Sequence, residues 1–154
     1  MAKLESLRGK NNAYTISISD DSVEASKLIE LYEKTTAKIN ASKVGALNGN
    51  SSDLNTVYSL SRIIGLGNEK IAISDKSIDA SLLNILDGNT TGKINASTVT
   101  KLTGSESEIN AAISSDGISD GGSESPLWLS YLESLEYLAS NKDLIDAFGL
   151  NSNT

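Results

Sequence analysis

The segment best suited to chemistry is Asp116-Gly117-Ile118-Ser119-Asp120-Gly121-Gly122. Carboxylates and backbone carbonyls around glycine turns supply the oxygen ligands, roughly six to eight, that Ca2+ takes. The spacing is neither that of an EF-hand loop nor that of the Gly-Gly-x-Gly-x-Asp nonapeptide. Asp116 and Asp120 are therefore Ca2+ candidates set against a solvated linker, and no other cofactor is expected. The pair Asp20-Asp21 and its counterpart Asp75 form a lesser acidic group, but Lys76 opposes a cation there. Acidic residues at a helix N-terminus account for them more simply. Glu106 and Glu108, two apart in a helical turn, point in different directions and give no hydrolase pair. Gly65-Leu66-Gly67-Asn68 lacks the Lys and Ser/Thr of a phosphate loop and reads as a turn.

Composition removes most other chemistry. The 154 residues include no Cys and no His. That excludes disulfides, thiolate zinc sites and histidine-based triads. The chain is predicted not to be an enzyme, and no small-molecule substrate is expected. With 20 acidic and 13 basic residues the net charge is −7, which argues against a nucleic-acid groove. Apolar runs are far too short for a membrane span. The start, Met1 to Arg8, has no apolar stretch behind its basic residues and is not a secretory signal. The charge is also lopsided: residues 1–101 carry 12 basic and 11 acidic side chains, whereas 102–154 carry Lys142 against nine carboxylates.

The elements that must position these residues come from an internal 55-residue repeat. Ile16-Ser17-Ile18-Ser19-Asp20 matches Ile71-Ala72-Ile73-Ser74-Asp75, and Thr36-Ala37-Lys38-Ile39-Asn40-Ala41-Ser42 matches Thr91-Gly92-Lys93-Ile94-Asn95-Ala96-Ser97. No gap is needed from Ile16 to about Gly67. Each unit divides into related halves of β-branched alternation followed by apolar residues at helical spacing, with offsets of 26 from Leu28 to Leu54 and 29 from Leu54 to Leu83. Strand plus short helix at that period predicts an α/β fold: a short strand–helix solenoid of two 55-residue units, about four coils. Ser105-x-x-Glu108 is a capping box and Asn50 an N-cap. Ser22 and Ser77 are predicted to start the other two helices, ahead of Val23 and Ile78. Asn40 and Asn95 fit either a buried amide ladder or exposed turns.

The ends break the pattern. Residues 1–14 are predicted to be an N-terminal cap or arm, 15–122 the two-unit solenoid, and 123–154 a C-terminal helical cap. Ser125-Pro126 opens the first helix of that cap, with Trp128, Tyr131, Leu132 and Leu135 on one apolar stripe, and Asn141 caps a second one. These four apolar residues are the predicted self-association surface.

Residues 71–87 (Ile-Ala-Ile-Ser-Asp-Lys-Ser-Ile-Asp-Ala-Ser-Leu-Leu-Asn-Ile-Leu-Asp) and 91–104 (Thr-Gly-Lys-Ile-Asn-Ala-Ser-Thr-Val-Thr-Lys-Leu-Thr-Gly) resemble a tandem repeat of large predicted surface or secreted proteins of marine cyanobacteria. Gly65-Leu66-Gly67-Asn68-Glu69 is similar to the link between units there, and the resemblance covers about residues 15–122. It implies a surface or extracellular location and no known catalytic residue. The acidic, hydroxyl-ended C-terminus is compatible with export by a route that reads no N-terminal signal; a virion or cytoplasmic location is the alternative. The function expected is a structural repeat protein that self-associates head to tail into a filament or surface layer. The alternatives are an adhesion module for a glycan or protein, or a fibre component of a virion or appendage.

Overall fold

The computed structural model describes residues 13–119. The predicted arm over 1–14 lies almost wholly outside these residues, and the cap over 123–154 entirely so. In chain order the elements are β1 (Ile16–Ser17), β2 (Ser22–Glu24), α1 (Ala25–Lys34), β3 (Ile39–Asn40), β4 (Ala46–Gly49), α2 (Ser51–Ser59) and β5 (Ile63–Ile64). They continue with β6 (Lys70–Ile73), β7 (Ser77–Asp79), α3 (Ala80–Asn89), β8 (Ile94–Asn95), β9 (Lys101–Thr103), α4 (Glu106–Ser114) and β10 (Ile118–Ser119). The fold is α/β, with parallel strands alternating with helices.

Every strand pairing is parallel, because a helix separates each strand from its partner and returns the chain to the same end of the sheet. Ile16 pairs with Ile39, Ile39 with Ile63, Leu47 with Ile71, Ile71 with Ile94 and Ile94 with Ile118. The sheets run β1-β3-β5, β2-β4-β6-β8-β10 and β7-β9. The helices follow in chain order, α1 against α2, α2 against α3 and α3 against α4.

The core is made of matched positions. Val23 and Ile78, Ala25 and Ala80, Leu28 and Leu83, Leu31 and Leu86, Ile39 and Ile94, and Leu47 and Leu102 are all buried. Thr35 and Thr90, also buried, donate their hydroxyls to the carbonyls of Tyr14 and Glu69 at 2.7 Å each. Satisfying the buried hydroxyl in the same way at both positions keeps its desolvation from costing stability.

Strand partners are offset by 23 or 24 in sequence, as from Ile16 to Ile39 and from Ile39 to Ile63. The helix starts Ala25, Ser51, Ala80 and Glu106 are instead offset by 26, 29 and 26. Two kinds of strand-to-helix passage account for the offsets of 26, and the 29 also contains the extra strand, since β6 pairs with β4 and β7 then leads into α3. In α2 and α4 a glycine in the left-handed half of φ space, Gly49 (φ 153) or Gly104 (φ 125), and then a capping residue intervene. Asn50 accepts from the Asp53 N–H at 2.8 Å, and Ser105 with Glu108 forms the predicted capping box. The Ser105 hydroxyl, and after it the Ser105 N–H, holds the Glu108 carboxyl below its ordinary pKa. In α1 and α3 the strand runs straight into the helix. Ser22 and Ser77 are therefore strand residues and not caps: α1 follows Glu24, which makes no side-chain cap bond, and α3 is capped by Asp79. The physical reason is that a β-branched residue after Ser fits the first turn of a helix and a strand equally well.

Between Ile63 of β5 and Ile71 of β6 the chain passes from the three-stranded sheet to the five-stranded one. β6 pairs with β4 and not with β5, its neighbour in sequence. Gly65 turns this link at φ 89, where a Cβ would lie 2.9 Å from Ser42 Cα.

Candidate functional site

A groove of about 940 Å3 lies along the five-stranded sheet, lined mostly by alternate residues of β4, β6 and β8, with the buried Ile71 also reaching its lining. Alternation explains the division: Leu47, Ile71 and Ile94 point into the core, while Ala46, Asn48, Lys70 and Asn95 face the groove. Asp116 and Ser119 line its far wall. The lining contains no aromatic side chain.

Lys70 and Lys93 are the groove's cations. Each immediately precedes one of the paired residues Ile71 and Ile94, so they occupy adjacent rungs. The Lys93 ammonium donates to the Asp116 backbone carbonyl. Asn95 Oδ1 accepts from the Ser97 N–H at 3.0 Å, and Asn40 makes the same turn with Ser42. These asparagines are thus local turn residues, the second of the two readings of their sequence. A basic residue precedes the strand isoleucine at Lys38-Ile39, Arg62-Ile63, Lys70-Ile71 and Lys93-Ile94. That recurrence is a sequence signal for the groove lysines, and acidic and glycine-rich motifs do not point to them.

Asp116 is exposed at the groove rim, and Asp120 lies outside the described residues. Among the described residues no three or more acidic side chains gather as a metal would require. Trp128, Tyr131, Leu132 and Leu135 also lie outside. No helix among the described residues is long and apolar enough to cross a membrane.

The Gly65–Asn68 segment does hold an anion, and the anion is the chain's own. Glu69 is fully buried; its Oε2 accepts from the N–H groups of Gly67 at 2.7 Å and Asn68 at 3.1 Å. Successive backbone amides around a turn form such a nest readily. Glu69 Oε1 accepts from the Tyr58 hydroxyl. Burial first, then the hydrogen bond to Glu69 and its charge, raises the Tyr58 pKa far above its ordinary 10.0. Above about pH 10 the unfolded chain therefore loses the tyrosine proton while the folded chain keeps it, and stability falls. Tyr58→Phe should flatten this alkaline loss in urea titrations between about pH 9 and 11. A slope identical to that of the wild type would remove Tyr58 from the account.

Elsewhere positions 55 residues apart in sequence carry different interactions. The Arg62 guanidinium lies over the Tyr32 ring at 3.6 Å and donates to the Tyr32 carbonyl at 2.7 Å. The matching positions are Gly117 and Asp87, and Ser115 donates to Asp87 at 2.6 Å. A Cβ on Gly117 would lie 1.9 Å from Asp87 Oδ1, so the smaller residue accompanies the approaching carboxylate.

No family model, curated protein or solved structure matches this chain.

Proposed function

We propose that this chain is a non-enzymatic structural repeat protein, a short strand–helix solenoid whose copies associate head to tail at a cell surface or outside the cell. The observation that carries the reading is the junction between the two 55-residue units. There the Lys70 N–H donates to Gly45 O at 2.9 Å, Ser74 N–H to Gly49 O at 3.0 Å, and Asn55 Nδ2 to Leu82 O at 3.4 Å. The counterparts of the donors Lys70 and Ser74 are Thr15 and Ser19 in the first unit. Those of the acceptors Gly45 and Gly49 are Thr100 and Gly104 in the second. The internal junction can accordingly recur between the first unit of one copy and the second unit of another. Such a contact is heterologous, and it builds filaments when the rotation does not close. The reading requires no cofactor and no substrate.

Electron microscopy with light scattering across protein concentration tests it. Mass should rise with concentration and elongated particles should appear; a strict monomer at high concentration would overturn the reading. The groove favours one rival, a module binding a protein or glycan, although without aromatic side chains it offers a sugar ring no stacking platform.

A further inference from the structure

We propose that Lys70 and Lys93 form a carboxylate-receiving site in the sheet groove, and that its occupant is the acidic C-terminal region of a second copy. The inference rests on the head-to-tail reading and names a contact within it. Neighbouring strands are about 4.8 Å apart, so like charges on adjacent rungs repel unless an anion lies between them. Among the described residues the one ion pair is Lys27–Glu30, and neither groove lysine joins it. Lys93 is met by a neutral carbonyl, that of Asp116. Asn95 uses its oxygen in the local turn, which leaves its amide N–H groups as additional donors beside the lysines.

The chain itself supplies the complementary charge. Residues 120–154 hold Asp120, Glu124, Glu133, Glu136, Asp143 and Asp146 against Lys142 alone. The head-to-tail reading selects a second copy over the same one. The sheet advances from β2 through β4, β6 and β8 to β10, and the described chain ends at Ser119 in β10. The acidic region begins at the next residue, Asp120. Contacts of this kind set register and association rate, and they weaken with salt.

Full-length chains test the proposal. Lys70→Glu/Lys93→Glu should raise the apparent dissociation constant of self-association roughly tenfold or more, with an unchanged circular dichroism melt. Glu133→Lys/Glu136→Lys should do the same. Mixing the two variants should restore assembly, because the reversed groove of one then meets the reversed segment of the other. If the wild type is strictly monomeric, the head-to-tail reading fails and this contact fails with it. If the wild type assembles and the lysine reversal assembles equally well, this inference alone is overturned. If mixing restores nothing while all four substitutions in one chain restore assembly, the groove is filled by its own chain and the second-copy assignment is wrong. If lysine reversal abolishes assembly but neither mixture nor combined chain rescues it, the groove has a different partner, and the assignment is again wrong.

Discussion

Replacing Glu69 with alanine should cost about 3–5 kcal/mol, among the largest losses available to a single substitution here. The side chain is fully buried and accepts three hydrogen bonds, from Gly67 N–H, Asn68 N–H and the Tyr58 hydroxyl. Alanine removes the acceptor of all three donors, the Gly67 and Tyr58 groups half-buried and the Asn68 amide on an exposed residue. Each unsatisfied buried donor costs about 1–3 kcal/mol, and the lost volume adds a cavity term. Against a total stability of about 5–15 kcal/mol for a domain of this size, that loss leaves a marginal fold.

Location makes the effect more than local. Glu69 directly precedes β6, the strand that pairs with β4 as the chain passes from one sheet to the other. Its own carbonyl accepts from Thr90, and a Cβ on Gly92 would lie 2.2 Å from that carbonyl. One residue thus ties the link, α2 through Tyr58, and the turn before β8. Glu69→Gln keeps the volume and one acceptor oxygen, while the Tyr58 hydroxyl can rotate to accept; it should lose only about 1–2 kcal/mol. Urea unfolding of both variants measures the contrast. A Glu69→Ala chain as stable as the wild type would show that the buried carboxylate does not hold the link.

The periodic part of this architecture is legible in the sequence, and the irregular part is not. Sequence matches at an offset of 55 give the alternation of strand and helix, and Asn50 and Ser105-x-x-Glu108 give two helix starts, because capping is local chemistry. The other two helices start later than Ser22 and Ser77 suggest, since Ser22-Val23 and Ser77-Ile78 carry no local feature that separates strand from helix. The change of sheet at β6 is hidden for a different reason. A repeat offset states that two segments are alike and says nothing about which strand lies beside which, and β6 against β4 is a tertiary choice. Glu69 is hidden inside a loop that reads as a turn, where a charged residue suggests solvent. The clue is a carboxylate directly after Gly-x-Gly-Asn, where free amides await an acceptor. Lys70 and Lys93 are visible as a recurring basic residue before isoleucine, but only the β-register places them side by side.

The second large effect concerns the matched core leucines. Leu28 and Leu83 are both fully buried, on the inner faces of α1 and α3. Truncation to alanine in a packed core removes the transfer energy of three carbons and leaves a cavity, together about 3–5 kcal/mol. The two sites should nonetheless differ. Among the described helices α3 packs between α2 and α4, whereas α1 packs against α2 alone. Where each helix contacts only its neighbours in chain order, as here, stability is close to a sum of local and neighbour terms. A cavity in α3 weakens two helix interfaces, one in α1 a single interface, so Leu83→Ala should lose at least as much as Leu28→Ala. The same asymmetry predicts that amides of α3 exchange more slowly than those of α1 in the wild type, because opening a flanking element breaks fewer contacts. Since α2 separates the two helices, the double variant should lose close to the sum of the single losses. Urea denaturation of the three variants and native-state hydrogen exchange provide the measurements. A cost below about 1 kcal/mol at Leu83, or greater protection in α1 than in α3, would contradict a stability distributed by nearest neighbours along the chain.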